Sequence, residues 1–447
     1  MWEACIMKYE QATEYMEKLQ NGGIVLGLDS MRRLLRSMGD PQDSLKFVHI
    51  AGTNGKGSVL SFVSSILRSA GYRTGRYCSP SVFSALEKWQ VNGRPISKAD
   101  FVRGLEAVRL AAETLEEQGH PYPTPFEVET ALAFWYFREK GCEIVVLETG
   151  MGGLLDATNI VTTTVAAVIT SVSRDHMGML GDTLEEIARQ KAGIIKNGCQ
   201  VITGKQEPSV MQVIKTVCEE KGAALRTADP GAASKVRYGL RQQSFSYGAC
   251  EKLKISLAGI CQIENAILAV ETVEALREGG YRVTERALRG GLSEARWPGR
   301  FSVVSQKPYF IVDGAHNIDA AQKLKESVLF YFTNKKIIII IGMLKDKEYE
   351  KIVEMMAPIA AQVITVTTPD HKRSLSAYEL AGVVRTCHPQ VTAADSVQEA
   401  VEMAYLLADR DDVILAFGSL SYLGELCKIA ENRESIRRDT HGRSGED

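Results

Sequence analysis

The stretch His49-Ile50-Ala51-Gly52-Thr53-Asn54-Gly55-Lys56-Gly57-Ser58 gathers three glycines, two hydroxyls and a lysine into one short run. Residues of these types can hold a phosphate. Glycine has no Cβ, so the backbone can close around an anion. A helix start presents unpaired N–H groups and a positive dipole end, and Lys56 would add a full charge. The plain alternative is a glycine-rich turn that carries a lysine. The flanks favour the phosphate cradle: Phe47, Val48 and Ile50 read as a short strand, while Val59, Leu60, Phe62, Val63, Ile66 and Leu67 recur with the spacing of an amphipathic helix that Gly71 ends. The match to G-x-x-x-x-G-K-[ST] is imperfect. Ile50 stands where its first glycine belongs and Gly57 separates Lys56 from Ser58, which argues against an ordinary small-molecule kinase.

Other polar residues follow apolar runs. Glu148 closes Ile144-Val145-Val146-Leu147 and precedes Thr149-Gly150-Met151-Gly152-Gly153. Leu155 occupies the third glycine position of G-x-G-x-x-G, which disfavours a dinucleotide site; Glu148 is either displayed to a metal or satisfied by backbone donors. Asp175 and His176 follow the strand-like Val165 to Ser171, and Lys191 lies fifteen positions after His176 on a helical stretch. An imidazole and a carboxylate at neighbouring strand ends could share a hard cation, although magnesium prefers oxygen. A lone histidine is more often a satisfied polar group, and His49, His120, His371, His388 and His441 are read so. Val312 leads into Asp313-Gly314-Ala315-His316-Asn317, where Asp313 could accept ribose hydroxyls and Arg300 could grip a phosphate with a forked pair of bonds. Their separation from Lys56 along the chain suggests a site between two domains.

The elements that must position these residues alternate. Helices are expected over residues 6–40, Lys98 to Gln118, Phe126 to Lys140, Leu184 to Lys196 and Ile263 to Arg277, with strands at Ile144 to Leu147, Val165 to Ser171 and Gln200 to Thr203. Residues from Tyr77 to Pro95 read as a long ordered loop, and 223–257 as short strands and turns. Alternating strands and helices imply a parallel sheet covered on both faces, with ligands at the carboxyl ends of its strands. After Trp297-Pro298-Gly299 the pattern restarts, with strands at Phe310 to Val312, Ile337 to Ile341, Val363 to Val366 and Val413 to Phe417. The expected fold is α/β: an N-terminal P-loop domain over 1–296, a smaller α/β domain over 297–432, and a charged, frayed tail over 433–447.

Composition narrows the function classes. The 447 residues carry a formal net charge of -2, which argues against nonspecific binding to nucleic acid or an anionic membrane. No apolar run approaches the roughly 18 residues of a membrane span, and Glu3 stands where a signal peptide would be basic, so a cytoplasmic protein is expected. Nine cysteines without a C-x-x-C pair suggest neither a disulfide framework nor a thiolate zinc site.

In order along the chain, HIAGTNGKGS, CSPSVFSALEKWQVNGRPIS, PFEVETALAFW, VLETGMGGLLDATNI, DHMGMLGDTLEEIARQKAGIIK, WPGRF, DGAHN, GMLKDKEY and FGSLSYLGE together resemble the folylpolyglutamate synthase and dihydrofolate synthase family of the Mur ligases. The resemblance covers nearly the full length. It implies a Rossmann-like C-terminal domain and an ATP-dependent amide ligase. A pterin carboxylate would attack the γ-phosphate of ATP, and the amine of L-glutamate would then displace phosphate from the acyl phosphate.

Carried over residue by residue, the resemblance puts the phosphate loop on Gly52, Thr53, Asn54, Gly55, Lys56, Gly57 and Ser58, and the ligands of two magnesium ions on Ser79, Glu148 and His176. It implies a carbamylated Lys191, ATP contacts from Asn265, Arg300, Asp313 and His316, and a place for Asp156 near the pterin. Lys56, His176 and Lys191 would carry the catalysis. The implied partners are dihydropteroate or tetrahydrofolate and L-glutamate, met by a monomer. Ser81, Leu154 and Cys261 depart from the family pattern near pterin or hinge contacts and leave the acceptor open. The alternatives are polyglutamate extension alone, an inactive nucleotide-binding regulator, and a ligase acting on a cell-wall precursor.

Overall fold

The computed structural model describes residues 7–19, 25–175, 177–369 and 373–442. His176 and His371 therefore lie outside the described residues, and of His441 only the helical backbone is described.

The N-terminal domain is built on eight strands: β1 (Phe47–Ala51), β2 (Thr74–Tyr77), β3 (Trp89–Val91), β4 (Arg94–Pro95), β5 (Ile144–Glu148), β6 (Thr164–Ile169), β7 (Gln200–Thr203) and β8 (Ala224–Thr227). They lie in the order β4-β3-β2-β5-β1-β6-β7-β8. From β2 to β8 every pairing is parallel, while β2–β3 and β3–β4 are antiparallel. β1 and β5 are buried along their whole length, as apolar strands covered on both faces must be.

The reading of Tyr77 to Pro95 as a loop misses β3 and β4. That hairpin forms because Trp89 buries its ring between Tyr77 and Phe101, and its indole N–H donates to Glu129 O at 3.0 Å.

The helix Lys56–Ser69 is less amphipathic than its spacing suggests, because every residue from Gly57 to Leu67 is buried. It is covered on one side by the sheet and on the other by the helices Gln262–Glu278 and Glu285–Glu294. Serines fill the polar positions: Ser61 Oγ donates to Arg296 O at 2.8 Å and Ser64 Oγ to Ser61 O at 3.2 Å.

A small antiparallel sheet follows, β9 (Ser234–Arg237), β10 (Gln243–Tyr247) and β11 (Cys250–Ile255), and its apolar face joins the core around the helix Lys56–Ser69. The C-terminal domain carries β12 (Ser302–Gln306), β13 (Tyr309–Val312), β14 (Ile337–Ile341), β15 (Gln362–Thr365), β16 (Val391–Ala393) and β17 (Val413–Phe417), ordered β12-β13-β17-β14-β15-β16. Only β12 pairs antiparallel. Successive residues of β14 face opposite sides: Ile337, Ile339 and Ile341 enter one core, Ile338 and Ile340 the other. The final helix, Leu423–Gly442, continues past residue 432, where the frayed tail is expected to begin. Arginines and glutamates favour helix as readily as they favour water. Among the described residues no helix is long and apolar enough to cross a membrane.

Candidate active site

β1, β5 and β6 end side by side, and their exits form one wall of the candidate site. The loop after β1 turns at Gly52 and Gly55, with φ of 153° and 88°, before the helix begins at Lys56. Its glycines are required by packing against protein. A Cβ on Gly52 would lie 1.8 Å from Thr170 Oγ1, on Gly55 2.6 Å from Asn265 Oδ1, and on Gly57 2.4 Å from the Trp297 ring. Asn265 and Trp297 thus pack directly against the loop and shape it.

The loop is pinned to the exit of β6. Thr53 N–H donates to Ser171 O at 2.6 Å and Asn54 N–H to Ser171 Oγ at 3.1 Å. Those two N–H groups are therefore spoken for. The donors left for a phosphate head the helix, on Lys56, Gly57 and Ser58, which have no acceptor within it. Lys56 Nζ folds back onto Gly52 O at 3.1 Å and Thr53 O at 3.3 Å. Burial pushes its ammonium below the ordinary lysine range, and nearby Glu148 opposes that shift.

Glu148 is buried at the end of β5 and its carboxyl is pushed up to about 6 by burial, against the pull of Lys56, Arg300 and Arg76. The Ser79 backbone N–H donates to it, so the two residues assigned to magnesium do meet. Among the described residues no group of three or more His, Cys, Asp or Glu side chains is placed to hold a metal.

The glycines after β5 let that turn lie on the helix Leu184–Ala192. Leu154 N–H donates to Gln190 O at 2.6 Å, and a Cβ on Gly153 would stand 2.9 Å from Lys191 O. Lys191 is 3% exposed, and burial together with Lys56 brings its ammonium down to about 7. Asp156 sits behind the same turn: Oδ2 accepts from Met151 N–H at 2.8 Å and Oδ1 from Thr158 N–H at 3.0 Å. Thr158 Oγ1 also contacts buried His49 Nε2 at 2.9 Å. Asp156 thereby braces the loop expected to meet the pterin.

The C-terminal domain supplies the opposite wall. Asp313 Oδ2 accepts from Phe301 N–H at 2.7 Å and Oδ1 from Ala315 N–H at 2.8 Å, which fixes the turn after β13. Arg300 packs onto that turn, since a Cβ on Gly314 would lie 2.6 Å from Arg300 Nη1. His316 Nδ1–H donates to Gly314 O at 2.8 Å. Burial, reinforced by Lys347, lowers its pKa to about 4, so the imidazole is neutral with Nε2 free to accept.

Asn317, Asp319 and Lys347, to which sequence reasoning gave no role, join the walls. Asn54 and Asn317 exchange amide hydrogen bonds at 3.2 and 3.1 Å, and Asn54 also donates to Asp319 Oδ2 at 2.8 Å. Asn317 Nδ2 donates to Asp175 Oδ2 at 3.2 Å, and Lys347 Nζ to Asp175 Oδ1 at 2.9 Å. Asn317 stands within DGAHN and Lys347 within GMLKDKEY, so the motifs held the signal without the pairing.

The two domains that carry these walls match known proteins. The Mur ligase middle domain matches residues 50–273 and the Mur ligase glutamate ligase domain residues 299–420. The dihydrofolate synthase/folylpolyglutamate synthase of Bacillus subtilis is 33% identical over 427 residues, covering 94% of this chain and 98% of its own. The enzyme of the same name from Escherichia coli is 32% identical over 421 residues, covering 94% and 95%. A Mycobacterium tuberculosis folylpolyglutamate synthase complexed with ADP superposes with a TM-score of 0.87 at 27% identity, over 95% of this chain and 99% of that one. E. coli FolC in complex with DHPP and ADP gives 0.82 at 29% identity, over 96% and 99%. Similarity at this level along nearly the whole of both chains means that the protein belongs to the dihydrofolate synthase/folylpolyglutamate synthase family of the Mur ligases.

Proposed function

We propose that the protein is an ATP-dependent ligase that joins L-glutamate to dihydropteroate, to reduced folates, or to both. The observation that carries this reading is the electrostatic convergence of the two walls: Lys56 and Glu148 of one domain both feel Arg300 of the other. Nucleotide phosphates lying there would be held from both sides. Relatives solved in complex with ADP support binding of an adenine nucleotide.

An oxygen of the folate carboxylate attacks the γ-phosphorus and ADP leaves with the electrons of the broken P–O bond, giving an acyl phosphate. The neutral amine of glutamate then attacks the carbonyl carbon. A C–N bond forms, inorganic phosphate departs and the amine loses a proton. The chain's part is positioning and charge stabilisation: Lys56 and the N–H groups at its helix start face the phosphates, and Arg300 offers a forked pair of donors. Neutral His316 can accept a hydrogen bond at Nε2 from the incoming ammonium or amine.

The donor set fits magnesium, since Glu148 is a buried oxygen ligand and Ser79 lies against it. Ser79 and Glu148 would hold the ion, with His176 assigned the same role from sequence; when bound it neutralises phosphate charge. Lys191 suits carbamylation. With its pKa brought to about 7, part of it is neutral amine at neutral pH, the form that attacks carbon dioxide. The product is an anion where an ammonium would repel the metal. The ligands are small molecules, and a monomer suffices for the chemistry because both walls come from one chain.

A second reading, extension of reduced folates without use of dihydropteroate, is supported by relatives named folylpolyglutamate synthase alone. The test is incubation of the purified chain with magnesium ATP, L-glutamate and either dihydropteroate or tetrahydrofolate, following phosphate release and product mass. Adducts with both acceptors establish the bifunctional reading, and an adduct with tetrahydrofolate alone establishes the narrower one. No adduct with either refutes both.

A further inference from the structure

A cavity of about 360 Å³ lies between the helix Lys56–Ser69, the strands β2, β3 and β4 at one edge of the large sheet, and Trp297–Pro298. None of Lys56, Glu148, Lys191, Arg300, Asp313 or His316 lines it. Its volume is within the range of small-molecule sites, which begins at roughly 300 Å³.

Arg76, on β2, projects into this space. The Trp297 ring covers its guanidinium face, with Cζ 5.1 Å from the ring centroid, so the edge of the group is what remains for hydrogen bonds. Arg76 Nε is buried and has no hydrogen-bond partner among the described residues, and the same holds for Ser65 Oγ on the facing helix. A buried donor left unpaired is costly, and a charged one more so.

The other charges of the lining are engaged. Arg68 pairs with Glu294 at 3.0 Å, Glu87 Oε1 accepts the backbone N–H groups of Val82 and Phe83, and Arg296 donates to Ser293 O and Ala295 O. Three arginines against two glutamates leave the lining one positive charge in surplus.

We propose that this cavity binds a small monocarboxylate with an apolar body, its two oxygens taken by the edge of Arg76 and its body lying against Trp297, Val82 and Phe83. A carboxylate matches the guanidinium fork in shape and charge. A phosphate dianion fits less well, because it would overbalance the single surplus charge and face Glu87 and Glu294. Trp297 is held between Arg76 and the phosphate loop, where it excludes a Cβ on Gly57. An occupant of the cavity therefore touches the same indole that shapes the nucleotide loop.

The test is titration of the full chain, free of nucleotide, with sodium benzoate, followed by calorimetry and by tryptophan fluorescence. The expected result is one site. Its affinity falls at least tenfold in Arg76→Leu and by a smaller factor in Arg76→Lys, which keeps the charge and loses the fork. The fluorescence change should vanish in Trp297→Phe while calorimetric binding persists. If Arg76→Leu does not fold, Arg76→Lys decides. Absence of binding, benzoate affinity unchanged in the folded Arg76 variants, or displacement of benzoate by equimolar inorganic phosphate would overturn the proposal.

Discussion

Lys347 and Asp175 form an ion pair across the two domains, Nζ to Oδ1 2.9 Å, with side-chain exposures of 8% and 12%. Asp175 Oδ2 takes Asn317 Nδ2 at 3.2 Å on its other side and lies 3.9 Å from His316 Nε2. One carboxylate from the exit of β6 thus holds two donors of the C-terminal domain, Lys347 and Asn317, while the neutral His316 ring lies beside it without a hydrogen bond. Beside it, the Asn54–Asn317 amide pair joins the phosphate loop to the helix Ile318–Tyr331, which Asn317 caps by accepting Ala320 N–H at 2.9 Å.

Removing one partner of a buried pair leaves the other charge stranded, at a cost of about 3–5 kcal/mol. Lys347→Met should accordingly lower the thermal unfolding midpoint and weaken nucleotide binding. Lys347→Met combined with Asp175→Asn should recover part of the stability. Equal losses in the single and double variants would show that the pair does not couple the domains.

Lys56→Ala removes the only full charge carried by the phosphate loop itself. A drop in kcat of at least about a hundredfold is expected, the scale for losing one preorganised donor at developing charge. Far-UV circular dichroism should be unchanged. Near-normal turnover would remove Lys56 from its role.

Gly57→Ala places a Cβ 2.4 Å from the Trp297 ring, so the helix start or the indole must move. Weakened nucleotide affinity is expected, with partial restoration by Trp297→Ala in the same chain. A Gly57→Ala variant with unaltered nucleotide affinity would show that the contact does not shape the loop.

His49 supplies a pH dependence of stability. Burial holds its folded pKa down to about 3, whereas the unfolded value is about 6.5. Between those values the unfolded chain binds a proton that the folded chain does not. Stability is therefore complete above the unfolded pKa and falls with decreasing pH through that window, by up to about 1.4 kcal/mol per pH unit for this group. His316, lowered to about 4, adds to the same slope. Denaturant titrations of wild type and His49→Gln from neutral to acid pH should show a shallower slope in the variant. Parallel curves would exclude His49 as a contributor.

The strand, glycine turn and helix around Gly52 to Ser58 were legible because their signals are local, within one short stretch. Glu148 also stood out at a strand exit and Arg300 as a candidate phosphate ligand, family resemblance added a role for His316, and the fold brings Glu148 and Arg300 within electrostatic reach of Lys56. What sequence could not supply is pairing at a distance. Asp175 and Lys347 are 172 residues apart, and nothing near either names the other. Trp297 read as a domain boundary, and only packing shows it resting on Gly57 and Arg76. Arg76, inside Thr-Gly-Arg-Tyr, drew no notice in the sequence, because nothing in that stretch marks it as buried beside Trp297. The hairpin of β3 and β4 was missed because its strands are very short and held by one buried tryptophan.

The most direct test of the central claim follows an oxygen atom. With tetrahydrofolate or dihydropteroate carrying heavy oxygen in the reacting carboxylate, the enzyme should produce an acceptor one glutamyl residue heavier, and the released inorganic phosphate should carry one labelled oxygen. An adduct formed with unlabelled phosphate would contradict the acyl phosphate route. Failure to form an adduct with either acceptor would contradict the assignment as a folate–glutamate ligase.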